Sequence, residues 1–132
     1  MITGIIPVRA DNVNLKAAPG TLSAMQIVSL GAAFGLRFLP LGAFVHLRTM
    51  SGGALTTSPG IRIGTNGTHN DVCPAVIPPT SIVVNQINSL PLASPLQAPP
   101  ISSADIFVEI TQSAIGPTTM TADFVVYGII IG

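Results

Sequence analysis

His69, Asp71 and Cys73 are the residues whose types and spacing come closest to a chemical motif. They alternate within THNDVC, so they would project from one face of an extended strand. Imidazole, carboxylate and thiolate groups all bind metals, and His46 could supply a fourth ligand. Ligand spacing along a single strand is not a recognised zinc pattern, however, and His69 lies beside an Asn-Gly turn where polar residues are usual. We therefore expect Cys73 to be a buried apolar residue, and we expect no metal and no cofactor.

Paired carboxylates are a second kind of chemical motif, because they can act together as general acid and base. The last 29 residues, 104–132, carry Asp105, Glu109 and Asp123. By strand alternation, Glu109 and Asp123 fall on the same outward face of a hairpin, which favours a solvated polar strip over a catalytic pair. The glycines follow no phosphate-binding spacing. The sequence therefore predicts no catalytic residue and a protein that is not an enzyme.

The composition of the chain is unusual for its small number of charges. Only 8% of the 132 residues are charged, against roughly 25% in an ordinary soluble domain. The surface must therefore consist largely of small polar and apolar side chains, which protect poorly against association. Five basic and five acidic residues cancel, so neither nucleic acid nor an anionic membrane is an expected partner. The first residues also lack the pattern of a secretory signal.

Proline and glycine interrupt the chain throughout, and this favours short strands over helices. Segment 60–65, GIRIGT, alternates and is followed by Asn66-Gly67, which predicts a hairpin with segment 71–77. A strand is predicted over 42–50, with Phe44, His46 and Arg48 on one face and Val45 and Leu47 on the other. Another strand is predicted over 80–87.

Segment 22–47 is apolar and long enough to cross a bilayer, which takes about 20 residues. Arg37 and Pro40 interrupt it, so we expect two or three buried strands in series and no membrane insertion. A helix over 22–33 is the alternative for its first part, and residues 22–36 are left open between strand and helix.

Seven prolines lie between positions 73 and 101, and because proline cannot donate to a sheet ladder they favour a strap over a central strand around SLPLASPLQAPP. We expect an extended, ordered strap there. Its leucines, Leu90, Leu92 and Leu96, should pack across a sheet face or against a neighbouring subunit, because exposure to solvent would leave their apolar surface uncovered.

The closing segment, ADIFVEITQSAIGPTTMTADFVVYGIIIG, predicts two strands joined at Gly116-Pro117 as a hairpin. The residues expected to face the core are Ile106, Val108, Ile110, Met120, Ala122, Phe124 and Val126. The opposite face changes from polar to apolar towards the end of the chain, and there Val125 and Tyr127 are expected to contact a neighbouring chain.

Residues 1–15 are a candidate N-terminal arm, because their apolar side chains precede any clear partner strand. We expect Ile5, Ile6 and Val8 to lie against another subunit or a larger assembly.

Seven or eight short strands in one domain, 1–132, predict an all-β protein built as an antiparallel β-sandwich. A jelly roll is favoured over an immunoglobulin-type sandwich, whose Cys and Trp core residues are absent, and a small barrel remains an alternative.

The closing block, ADIFVEIT followed by a glycine-containing loop and TADFVVYGIIIG, resembles the C-terminal hairpin of small jelly-roll decoration (cement) proteins of tailed bacteriophage heads. The resemblance covers residues 104–132, and no residue-level binding motif carries over. It implies a structural virion protein on the capsid exterior that binds the major capsid protein and forms a homo-oligomer, commonly a trimer. Another virion module, at the collar, tail or fibre base, is one alternative. A jelly-roll ligand-binding or enzyme domain is another, although a cupin-like enzyme would need more histidines than His46 and His69.

Overall fold

The computed structural model describes residues 4–26, 37–65, 72–76, 84–92 and 105–131, and within them the regular structure is all strand. The eight strands are β1 Ile6–Asn14, β2 Leu22–Gln26, β3 Arg37–Ser51, β4 Gly60–Gly64, β5 Cys73–Val76, β6 Ile87–Leu90, β7 Asp105–Gln112 and β8 Thr119–Ile131.

The strands form two four-stranded sheets, with all neighbouring strands antiparallel. The first sheet has the order β1-β8-β3-β6, and the second has the order β2-β7-β4-β5. This arrangement confirms the predicted antiparallel β-sandwich. We call the face of the first sheet that points away from the core its outer face.

The core follows the alternation of side chains along the strands, as the sequence predicts. The predicted inward residues of β7 and β8 are all buried: Ile106, Val108, Ile110, Met120, Ala122, Phe124 and Val126. Strand β3 also has the predicted faces, because Val45 and Leu47 are buried while His46 and Arg48 point outward. Burial of these side chains on both sheets supplies the main favourable free energy of folding.

The predicted hairpin at the end of the chain is wrong. Strands β7 and β8 belong to different sheets, and residues 113–118 carry the chain from one sheet to the other. Ala114 is buried in this crossing and its amide donates to the carbonyl of Leu15 at 2.9 Å, while Thr57 and Ile115 form an isolated bridge. A Gly-Pro turn marks a change of direction, but it does not specify whether the flanking strands pair.

The middle of the chain confirms one predicted strand pairing and corrects the extent of one predicted strand. Strands β4 and β5 pair as predicted, with Ile61 and Ile63 fully buried, while the Asn-Gly turn between them lies outside the described residues. The strand predicted over 80–87 is wrong for residues 84–86, because residues 84–85 form a turn and β6 begins only at Ile87. Asn85 has a φ of 68°, a left-handed conformation that asparagine tolerates but that ends a strand.

The N-terminal segment is part of the sandwich instead of an arm. Strand β1 pairs with β8 from Ile6 opposite Gly128 to Asn14 opposite Thr121. Val8 is only 3% exposed and lies in the core, and Ile6 packs against the core from its border, whereas Ile5 is 66% exposed. An apolar terminal segment can be tied down by its own last strand, which local sequence does not reveal.

Segment 22–47 contains strands where the structure describes it. Residues 22–26 form β2 and residues 37–47 belong to β3, so the helix alternative is wrong for 22–26, and residues 27–36 lie outside the described ranges. Within the described residues, the structure contains no helix that is long and apolar enough to span a bilayer.

We predict that Val8→Asp abolishes folding, because it places an unpaired carboxylate in the core, which costs several kcal/mol. Ile5→Asp is the matched control, since Ile5 is exposed just before the same strand. Circular dichroism and urea unfolding should show a folded Ile5→Asp protein and an unfolded Val8→Asp protein. A cooperatively folded Val8→Asp variant would contradict the placement of β1 in the core.

Candidate functional site

Among the residues that the structure describes, Asp123 on β8 is the charged residue that is buried. Its neighbours Ala122 and Phe124 point into the core, so the Asp123 side chain lies on the outer face of the first sheet. The residue is nevertheless only 2% exposed. Burial of a charge is costly unless other groups replace water around it, so the surroundings of Asp123 are the natural place to look for a site.

Side chains from the two flanking strands surround one carboxylate oxygen. Oδ2 lies 3.2 Å from Nη1 of Arg48, 3.6 Å from Nη2 of Arg9 and 3.9 Å from Nδ1 of His46. Arg9 is on β1, and Arg48 and His46 are on β3. The contact with Arg48 is the closest, and the side chains of both arginines are about half exposed, at 47% and 52%.

The other oxygen, Oδ1, accepts a hydrogen bond from the backbone amide of Asn12 at 2.9 Å. This amide is free to bond because β1 bulges here: pairing jumps from Ala10 opposite Phe124 to Val13 opposite Ala122. Asn12 has a φ of 53°, which asparagine adopts more readily than most residues. The carboxylate therefore accepts from an amide that the sheet ladder leaves unpaired, and it stabilises the bulge.

Donors from both flanking strands occupy this carboxylate, and it presents almost no surface to solvent. It is therefore placed to hold β1, β8 and β3 together, and it offers no open position for a substrate. The cluster presents to solvent the remaining surface of the two guanidinium groups, part of the His46 ring and the exposed carboxylate of Asp11. Asp11 accepts from Nε and Nη2 of Arg9 at 3.2 and 3.1 Å.

The outer face changes in character on either side of Asp123. Towards the start of β8, hydroxyl groups pair across the strands, Thr49 with Thr121 at 2.7 Å and Ser51 with Thr119. Towards its end the face is apolar: the rings of Phe44 and Tyr127 have centroids 6.2 Å apart and are tilted by 44°. The change from polar to apolar along β8 is as the sequence predicts.

Close packing within the chain covers much of the apolar half of the outer face. A side chain at Gly42 would overlap the Tyr127 ring, so the ring lies directly over the backbone of β3. Val125 is 5% exposed, although it was expected to contact a neighbouring chain. Its cross-strand partners are Arg9 on β1 and Phe44 on β3, so its own chain already covers it. Tyr127 is half-buried and keeps part of its surface exposed to solvent.

The other residues predicted to contact a neighbouring chain also differ in their exposure to solvent. Ile5 is exposed, whereas Val8 lies in the core. Ile6 and Leu92 are partly buried against the core of their own chain, and Leu96 lies outside the described residues.

Glu109 does not share a face with Asp123, and this corrects the predicted polar strip. Glu109 lies on β7, on the far side of the sandwich, where its Oε2 is 2.6 Å from Nη2 of Arg62 on β4. Strand parity assigned each residue correctly to the outside of its own sheet. The error comes from the predicted hairpin, which placed both strands in one sheet.

The predicted metal-ligand triplet is described only at Cys73, since His69 and Asp71 lie outside the described residues. Cys73 is fully buried, as predicted, and its Sγ lies 3.6 Å from the carbonyl oxygen of Pro74. Burial raises the pKa of the Cys73 thiol from its ordinary 9.0 to about 11. Within the described ranges, no three His, Cys, Asp or Glu residues gather closely enough to hold a metal.

Comparison with known protein families, curated proteins and solved structures finds no match for this chain. The resemblance of residues 104–132 to phage decoration proteins therefore remains a prediction.

We predict that Asp123→Ala lowers the free energy of unfolding by about 2–3 kcal/mol, because the Asn12 amide loses its acceptor and Arg48 loses its carboxylate partner, while Arg9 keeps Asp11. The loss stays moderate because water can reach both arginines. Asp123→Asn should lose less, since an amide oxygen can still accept from Asn12. Asp11→Asn, on the exposed carboxylate nearby, is the control and should change stability by less than about 1 kcal/mol. Equal urea-unfolding energies for Asp123→Ala and Asp11→Asn would contradict a stabilising role for the buried carboxylate.

We also predict that Cys73 lowers stability at alkaline pH. Between pH 9 and about 11 the thiol binds its proton in the folded chain but releases it in the unfolded chain, so the free energy of unfolding falls as pH rises through this window. The loss should be on the order of 2 kcal/mol and should be absent in Cys73→Ala. Urea unfolding of both proteins at pH 8 and pH 11 measures the difference. Parallel pH profiles would show that Cys73 does not titrate differently on unfolding.

Proposed function

We propose that this protein is a structural virion protein that decorates and stabilises a bacteriophage capsid by binding the assembled shell as an oligomer. The observation that carries the proposal is the combination of very few charges with exposed apolar side chains. Among the described residues, six large apolar side chains are between 41% and 66% exposed, in a chain with 8% charged residues: Ile5, Leu22, Leu41, Val84, Ile87 and Ile115.

Because the chain has few charges, its exposed apolar side chains favour association with other protein. A single exposed isoleucine is ordinary on a soluble protein, where neighbouring charges keep the surface hydrated. Here the charged side chains of the described sheets are largely paired with one another, as in Arg62 with Glu109 and Arg48 with Asp123. Burial of the remaining apolar surface against other protein would be favourable. A component of a large assembly makes such contacts.

The order of the strands supports a jelly-roll interpretation of the sandwich. Neighbouring strands include the first with the last, the second with the seventh, the third with the sixth and the fourth with the fifth. We infer that the chain folds as a nested antiparallel hairpin wrapped into two sheets, which is the double Greek key of a jelly roll. Viral capsid proteins, lectins and cupins share this architecture, so the fold alone does not select among them.

The sequence resemblance of the closing block favours the virion class among these jelly rolls, although its two strands, β7 and β8, lie in different sheets and form no hairpin. Residues 124–131, FVVYGIII, belong to the block that resembles decoration proteins, and they form the second half of β8 in the interior of the first sheet. Phe124 and Val126 face the core, and Tyr127 and Ile129 keep part of their apolar surface on the outer face. A strand that is apolar on both faces suits a protein whose outer face is covered on assembly.

The test is to locate the protein on particles assembled with and without it. Electron microscopy should show extra density on the outside of the shell only in particles that contain this chain, and those particles should resist heating or dilution better than particles without it. Density at the collar, the tail or a fibre base would favour the alternative virion module. Absence of the protein from purified particles would overturn the proposal.

A further inference from the structure

We draw no further inference here: the strongest candidate, the apolar half of the outer face of the first sheet around Phe44, Tyr127 and Ile129, carries no proposal because nothing in the structure shows what covers it.

Discussion

The rest of the structure depends on the position of β8 inside the first sheet, where it must satisfy backbone groups on both sides. It pairs with β3 from Ser51 opposite Thr119 to Arg37 opposite Ile131, and with β1 on its other side. An interior strand with the core on one side cannot carry many polar side chains without covering them. This explains why the one carboxylate of β8, Asp123, is enclosed by donors from β1 and β3, and why the end of the strand is almost entirely apolar.

The same position explains how a chain with few charges uses them. Arg9, Arg48 and Asp123 come from three strands that are far apart in sequence, yet they meet in one cluster at the centre of the outer face. A pair of exposed charges contributes little to stability, but a buried carboxylate that also accepts from the Asn12 amide constrains the register of β1 against β8. The cluster therefore helps to set the register of β1 against β8 and also stabilises the fold.

Local pattern was enough to predict much of the fold. The alternation in β3, β4, β7 and β8 correctly separated inward from outward residues, because burial on one face imposes a period of two regardless of which strands are neighbours. The local sequence pattern does not determine which strands pair with each other. The sequence predicts one hairpin for the segments that form β7 and β8 and an arm for the segment that forms β1, because pairing over long sequence distances leaves no local signal. The Asp123 cluster was missed for the same reason, although the shared face of His46 and Arg48 was a usable hint.

Nested strand pairing also bears on how the chain reaches its native state. The amide of Asn12 and the carboxylate of Asp123 are 111 residues apart in sequence, whereas β4 and β5 are close neighbours along the chain. The entropy of closing a loop rises with its length, so pairing that begins at β4 and β5 and proceeds outwards shortens each later loop. Such non-local topologies fold slowly, in milliseconds to seconds. On the ribosome, β1 is synthesised before its partner β8, so the inward-facing side chains of β1, such as Val8, have no partner strand until β8 emerges. Pro7 and the bulge at Asn12 interrupt that strand, and such interruptions limit premature pairing with other chains.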